Sequence, residues 1–376
     1  MPECFYDDGT IYNIKISGAT TMANITINGL FYSDRLTGIE RFAHEITKRL
    51  DALASPNEFS LILPPAASTE IPPFNNLHTV RLFTTPFFSI NKIKLYLYLL
   101  ANPSVCLDYG NRTPFLGHNI VFLHDIYCRV FPKDFRTAKD KYIMKKTCKM
   151  YERIAKKARL ICTVSHFSKK QIMDYYGVPE EKIRVIYSGS NHMDTIQADE
   201  SVFEKLSGLK NKEFYFTLGS LSLRKNLKWI MEHAELYPNE LFVVSGAMLK
   251  NVIPPELKKI KSLKNIILAG YLSDGEVKAL MQKCKAFVLP SYFEGFGLPP
   301  LEALSCGAPV IISNAASLPE IYGDCAHYID PFKPDVDLDA LLAEPVSSPD
   351  PLFEKYSLDN SAKKLYEILK EIEGDR

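Results

Sequence analysis

No run of about 18 apolar residues occurs anywhere in the 376-residue chain, so no helix able to cross a bilayer is expected. The N-terminus has no basic stretch followed by an apolar core, and no secretory leader is expected. No two cysteines are spaced C-x-x-C. The eight cysteines stand at 4, 106, 128, 148, 162, 284, 306 and 325, and several lie in apolar runs, as Cys162 does in Leu160-Ile-Cys-Thr-Val164. That pattern points to reduced, partly buried thiols of a cytoplasmic protein, and away from a disulfide frame or a zinc site. No Gly-x-Gly-x-x-Gly follows the first strand, which argues against a nicotinamide dehydrogenase. No internal repeat or low-complexity tract is present. Net charge is nearly absent at +1, but residues 1–188 carry 25 Lys+Arg against 17 Asp+Glu (+8) and the remainder 20 against 27 (−7). The basic half is a candidate for contact with an anionic surface or ligand.

What is present is an average soluble composition, 46% hydrophobic and 24% charged, in a length that suits two or three domains. Residues 1–21 read as an extension, from an upstream start codon or as one extra edge strand. Met22 then precedes a short alternating strand, Asn24–Asn28, followed by Ser33-Asp-Arg-Leu-Thr-Gly38-Ile-Glu-Arg41 and an amphipathic helix to about Leu50. Strand, glycine-bearing loop and helix make the first βα unit of a doubly wound sheet. Further strands are expected at Phe59–Leu63, Thr79–Phe83, Val105–Leu107, Asn119–Leu123, Leu160–Val164 and Ile183–Ile186, and Tyr187-Ser-Gly-Ser-Asn191 reads as a linker. A second series follows, with strands Phe214–Leu218, Leu241–Ser245, Ile266–Ala269, Ala286–Leu289 and Val310–Ser313 and helices near 225–236, 274–284 and 299–306. Such alternation predicts two parallel sheets covered by helices on both faces. The expected division is an extension 1–21, a first domain 22–188, a second 189–360 and a helical tail 361–376 that crosses back to the first domain.

The most informative segment is Pro290-Ser-Tyr-Phe-Glu294-Gly295-Phe296-Gly297-Leu298-Pro-Pro-Leu-Glu302, directly after an apolar strand. Its glycines free backbone amides and admit a ligand close to the chain. Pro299 and Pro300 fit the first turn of a helix. A Gly-rich turn feeding a helix N-terminus is an anion cradle. Glu294 and Glu302, eight positions apart, offer a carboxylate for pairs of sugar or ribose hydroxyls at each end. The second segment is Phe216-Thr-Leu-Gly219-Ser220-Leu-Ser-Leu-Arg224-Lys225-Asn226. Two cations at a strand end suit a diphosphate, Arg224 as a planar fork and Lys225 as a point charge. His124 and Asp125 close the strand Val121-Phe-Leu, at the sheet end where α/β sites lie. Ser165 reads either as a helix N-cap or as a cleft-lining residue. Asp335-Val-Asp-Leu-Asp339 reads as helix capping rather than a metal site. The stretch Lys133–Arg159 holds eleven Lys/Arg against three Asp/Glu, with Ile143, Tyr151, Ile154 and Ala158 near helical spacing. It reads either as a solvated helix or as a membrane-surface contact, with the apolar stretch Pro86–Leu100 as an interfacial helix beside it.

The Glu294–Glu302 segment resembles the E-x7-E signature of glycosyltransferase family 4, in the form E-G-F-G-L-P-x-L-E-A. Gly219 to Asn226 is similar to that family's G-x-x-x-x-R-K-N element, with Ser220 where many members carry another Arg. The resemblance runs from Met22 almost to the end, strongest in the second half. It implies the GT-B architecture, two Rossmann-like domains facing a cleft, with a nucleotide-sugar donor held by the second domain. By the same resemblance Glu294 contacts the donor hexose and Glu302 the ribose. Phe296, Gly297 and Leu298 present amides to sugar and diphosphate, and Arg224 and Lys225 hold the departing diphosphate. His124 faces the donor sugar, and Thr37-Gly38-Ile-Glu-Arg41 looks like the family's first glycine loop over the diphosphate. Gly270-Tyr271-Leu272 lies beside the base, and Ser317-Leu-Pro-Glu320 supports the site. Ser165 and Asp125 fall on the acceptor side. The implied reaction is retaining transfer of a hexose, mannose from GDP-mannose, to a glycan or lipid-diphosphate-linked acceptor. No metal or other cofactor and no nucleic acid is expected to take part, and the expected location is cytoplasmic, at the inner face of the membrane. A sugar-nucleotide epimerase of the same fold and a non-catalytic glycan-binding subunit are the alternatives.

Overall fold

The computed structural model describes residues 24–33, 38–64, 70–82, 88–110, 119–209, 212–219, 222–246 and 255–374, side chains excepted at 88–92 and 255–258. The expected extension 1–21, Met22, loop residues 34–37 and Ser220 lie outside these residues. Among the described residues the strands of a first sheet are β1 Ile25–Asn28, β2 Phe59–Leu63, β3 His78–Arg81, β4 Val105–Asp108, β5 Ile120–Phe122, β6 Leu160–Thr163 and β7 Ile183–Val185. They are ordered β3-β2-β1-β4-β5-β6-β7. A second sheet holds β8 Tyr215–Leu218, β9 Phe242–Ser245, β10 Ile266–Gly270, β11 Ala286–Leu289, β12 Val310–Ser313 and β13 His327–Ile329, ordered β10-β9-β8-β11-β12-β13. All the pairings are parallel.

Parallel strands covered on both faces need apolar side chains in both directions. β2 (Phe-Ser-Leu-Ile-Leu) is accordingly buried along its whole length, whereas β3 at the sheet edge is mostly exposed. β13, His327–Ile329, was not expected from the sequence. Helix starts follow local chemistry. Thr137 with Asp140, and Ser273 with Glu276, form capping boxes at the helices Ala138–Lys157 and Asp274–Lys283. Asp337 caps Leu338–Leu342 by accepting from the Ala340 amide at 2.9 Å, which accounts for the acidic run at 335–339.

Three details depart from the sequence reading. Gly38 begins the helix Gly38–Leu53 instead of sitting in the loop before it. Ile143 is 47% exposed, so the buried stripe of the basic helix is only Tyr151, Ile154 and Ala155, with Ala158 just past its end. The segment at 187–191 is packed rather than loose: Ser188 and Ser190 are buried, and the Tyr187 carbonyl accepts from Ser361 Oγ at 2.7 Å. Ser361 belongs to the last helix, Leu358–Gly374, whose Leu358, Ala362, Leu365 and Leu369 share a core with Phe42, Ile46 and Leu50. The chain therefore returns to the first sheet. In both sheets the strand order reverses next to the earliest strand, at β1/β4 and β8/β11. Ligands of open α/β sheets bind outside the carboxyl ends at such switch points.

Candidate functional site

The carboxyl ends of β8 and β11 bring the two main motifs together. Arg224 and Lys225 lie in a single turn, Leu223–Lys225, and not on the helix itself, which starts at Leu227. Asn226 takes a left-handed conformation at φ 55° between turn and helix. Its side chain donates to the Pro290 and Pro331 carbonyls at 3.0 and 2.7 Å, tying the basic turn to the start of the glutamate loop. Glu294 is buried and serves both cations. Its Oε2 accepts from Arg224 Nη1 at 3.0 Å and its Oε1 from Lys225 Nζ at 2.7 Å. Burial would raise the Glu294 carboxyl, but Lys225 and Arg224 outweigh it and hold it below the usual carboxylate range. Burial depresses Lys225, and Arg224 beside it adds to that. Burial opposes the charge on Arg224 too, but the nearby carboxylates of Glu294 and Asp125 raise its pKa. Glu294 thus bonds both cations directly, and Asp125 acts on both from nearby.

The glutamate loop is held from both sides. Ser317 Oγ donates to the Glu294 carbonyl at 3.0 Å, and Tyr322 to that of Gly297. Gly297, at φ 84°, opens the helix Leu298–Ser305, and a Cβ there would collide with Leu318. Pro299 and Pro300 carry no N–H, which leaves the Leu298 amide as the donor among the first three helical positions. Phe296 is buried in the second core. At Gly295 the glycine has an interdomain reason: a Cβ would lie 2.5 Å from the His124 carbonyl oxygen and 3.2 Å from Asp125 Cβ. Ser165 is fully buried. It caps the helix His166–Tyr176 through the Ser168 amide at 3.0 Å, and its hydroxyl donates to the Gly295 carbonyl at 2.6 Å. Glu320 from the second domain completes that helix end, accepting from the His166 and Phe167 amides at 2.8 and 2.7 Å.

His124 stands two residues beyond β5 between Phe42 and Phe122, and its Nε2–H donates to the Tyr109 carbonyl at 2.9 Å. Burial lowers its pKa, so the ring is neutral at pH 7 and its Nδ1 is an acceptor. Asp125 accepts from the Tyr127 amide at 3.0 Å. Gly219, Gly246 and Gly270 end three adjacent strands: the Gly219 amide donates to Ser245 and the Gly246 amide to Gly270. Tyr271 is 66% exposed, and Leu272 packs on the second core. Gly38 sits at the mouth of the first domain, and a Cβ there would meet nothing within 4 Å.

Glu302 is buried on the Leu298–Ser305 helix, with His192 Nε2 3.0 Å from its Oε1 but out of line for a hydrogen bond. His192 was not singled out in the sequence, and neither were Arg41, which bridges to Asp274 at 2.6 Å, or Asn28, which donates to Asp108 at 2.9 Å across the first switch point. The last pair had a signal: each is a polar residue ending an apolar strand. Among the described residues no group of three or more His, Cys, Asp or Glu is placed to hold a metal ion.

A model of "Glycosyl transferases group 1" matches residues 199–336, and one of "Glycosyltransferase Family 4" matches residues 117–192. The chain is 27% identical over 339 residues to O-antigen chain mannosyltransferase B of Escherichia coli, covering 83% of this chain and 87% of that one. It is 30% identical over 257 residues to O-antigen chain mannosyltransferase RfbU of Salmonella typhimurium, covering 63% of this chain and 66% of that one. Among solved structures, Anabaena Alr3699/HepE in complex with UDP-glucose superposes with a TM-score of 0.62 at 16% identity, over 93% of this chain and 97% of that one. The chain belongs to the glycosyltransferases of the GT-B fold, with the group 1 and family 4 domains of that family.

Proposed function

We propose that this glycosyltransferase moves a hexose, mannose from GDP-mannose, with retention of anomeric configuration, onto a glycan or lipid-diphosphate-linked acceptor in bacterial surface-polysaccharide synthesis. The observation that carries the reading is the cluster at Glu294, where two cations share one buried carboxylate. A donor diphosphate offers the basic pair a denser anion than a carboxylate, with the Leu298 amide at a helix N-terminus beside it. Glu294 is then left to accept from the sugar hydroxyls, and Glu302 from the ribose. The departing diphosphate takes the acceptor proton on the same face as the bond it leaves. The rate gain comes from stabilising leaving-group charge and orienting two substrates. His124, with Nδ1 as acceptor, suits a hexose hydroxyl on the opposite wall. Mannose is favoured by the mannosyltransferase names of the relatives and by the T-G-I-E-R and R-K-N segments.

The acceptor side also suggests where the enzyme works. On the helix Phe88–Ala101, Ile93, Leu97 and Leu100 are each more than half exposed. The helix Ala138–Lys157 exposes Lys139, Lys141, Lys145, Lys146 and Lys149. Among the described residues no helix is long and apolar enough to cross a membrane. We read the two helices as a contact with the anionic inner surface, at which a lipid-linked acceptor is presented.

A screen of GDP-, UDP- and dTDP-sugars for nucleoside diphosphate release, with the product anomer read by NMR, tests the reading. Release of GDP from GDP-mannose and an α-linked product are expected. Lys225→Ala is expected to lose about 2.7–4 kcal/mol of transition-state stabilisation, by analogy with removal of one oxyanion donor. Full turnover by folded Lys225→Ala overturns the role given to the basic pair.

A further inference from the structure

Asp134 lies in the short turn Pro132–Asp134 of the first domain, outside the residues to which the site reading gives a role. Its Oδ2 accepts from two phenols at once. One is Tyr127, seven residues earlier on the same acceptor-side segment. The other is Tyr292, in the donor loop two residues before Glu294. Both phenols lead to Arg224. The Arg224 guanidinium sits over the Tyr127 ring, 5.7 Å from its centroid. The Tyr292 amide donates to the Arg224 carbonyl at 3.0 Å, and Arg224 Nη1 donates to the Phe293 carbonyl at 3.2 Å and to Glu294. Asp134, Tyr127, Arg224, Glu294 and Tyr292 therefore close a circuit that crosses the cleft. Rings from both domains pack around it: Phe131 lies 5.2 Å from Tyr292 and 5.5 Å from Phe293, and Tyr127 lies 5.6 Å from Phe293.

We propose that Asp134 is a positioning residue for transfer: by accepting both phenols it fastens the acceptor-side segment 127–134 to the donor loop 290–294 and fixes the Arg224 fork where the leaving diphosphate forms. The physical basis is directional. A guanidinium resting on an aromatic face is free to slide and rotate in its plane. Glu294 fixes one edge of Arg224, and the Tyr127 ring fixes its height. The ring is in turn held by its hydroxyl on Asp134. Partial burial, and then the hydrogen bond each phenol gives to an anion, push their pKa values well above the ordinary tyrosine value, so both remain donors across the working range of pH. A shared single oxygen matters as well: either phenol alone would orient the carboxylate of Asp134, but only both together tie Asp134 to both walls of the cleft.

This proposal rests on the role given to Arg224 above, and the test keeps the two apart. D134A, Y292F and the double variant D134A/Y292F are assayed for transfer from the best donor, with donor binding followed by calorimetry. D134A and Y292F are each expected to lose about tenfold to 10²-fold in kcat, the range a displacement near 1 Å costs, while donor KM and Kd change less than about threefold. The double variant is expected to lose no more than the worse single variant, because either change alone opens the circuit. D134N is expected to restore most of the rate, since its one carbonyl oxygen offers two lone pairs to the same two phenols. Parent kcat in a folded D134A or Y292F overturns the proposal, as do losses that multiply in the double variant. If D134A does not fold, Y292F against the parent decides alone. A silent Lys225→Ala marks failure of the donor reading instead. An inactive Lys225→Ala beside a fully active Y292F marks failure of this inference only.

Discussion

Replacing Glu294 by Gln keeps the shape of the side chain and removes the one carboxylate between Arg224 and Lys225. Two partly buried cations then face a neutral amide, with Asp125 the nearby carboxylate that remains, and stability at pH 7 is expected to fall by about 3 kcal/mol, as when one member of a buried pair is lost. The sign with pH follows from the depressed Glu294 carboxyl. Its contribution is fully present above the unfolded value of about 4.3 and disappears as pH falls through the lower folded value. Urea unfolding of parent and E294Q should therefore differ at pH 7 and converge in acid. Added GDP should recover part of the loss in E294Q, because its diphosphate replaces the missing charge. A pH-independent difference, or no effect of GDP, counts against the electrostatic account. At the same scale the sequence was legible for chemistry and silent on reasons. Gly295 reads as a glycine for ligand approach, whereas its neighbour is the His124 carbonyl of the other domain. Cys162, in its apolar run, reads as a partly buried thiol and is wholly buried: burial pushes it up to about 12.

Helices here are finished by residues from elsewhere in the fold. The helix His166–Tyr176 has its own N-cap in Ser165, but its first two amides are taken by Glu320 of the second domain. A carboxylate at a helix N-terminus is favoured by hydrogen bonding and by the dipole. Glu320→Ala is expected to cost about 1 kcal/mol in equilibrium unfolding, and to weaken the contact between domains so that donor-free protein expands in small-angle scattering. A shape identical to the parent removes the clasp role. The sequence places Ser317-Leu-Pro-Glu320 after a strand but says nothing of a helix about 150 residues earlier. Elements with strong local signals were found nearly in place: β2, β11 and β12 match their expected bounds, and the capped helix at Asp274 begins where Ser273 directs it. β13, His-Tyr-Ile, was missed: unlike the equally short β5, it has only one aliphatic residue. A helix was expected from about 225 and starts at Leu227, because the left-handed Asn226 that sets its start has no sequence pattern of its own.

At the scale of the whole molecule, the exposed Ile93, Leu97 and Leu100 and the lysines of Ala138–Lys157 predict how the enzyme meets a surface. Cosedimentation with vesicles rich in anionic lipid is expected at low salt, and much weaker cosedimentation with neutral vesicles or at 1 M salt, where the screening length shrinks to about 3 Å. Replacing Ile93 and Leu97 by Ser should reduce binding to anionic vesicles while leaving donor hydrolysis intact. Equal binding to both vesicle types would sink the surface reading. The C-terminal helix sets the other long-range relation. Leu365 and Leu369 pack on the helix Gly38–Leu53, and Arg49 donates to Asp359 at 2.8 Å, so the end of the chain completes the first core.

The sequence by itself determined two parallel α/β sheets, the places of most of their strands along the chain, and the two motifs, at Arg224-Lys225 and at Glu294, that the fold brings together. Periodicity, capping residues and turn glycines act over a few residues and are written locally. Only the tertiary structure decided that Glu294 is shared by two cations, that Gly295 is pressed against the opposite domain, that Glu320 caps a distant helix and that Asp134 joins two tyrosines across the cleft. Each of these is a contact between segments far apart in the chain. Its strength depends on burial and angle, which no spacing along the chain encodes.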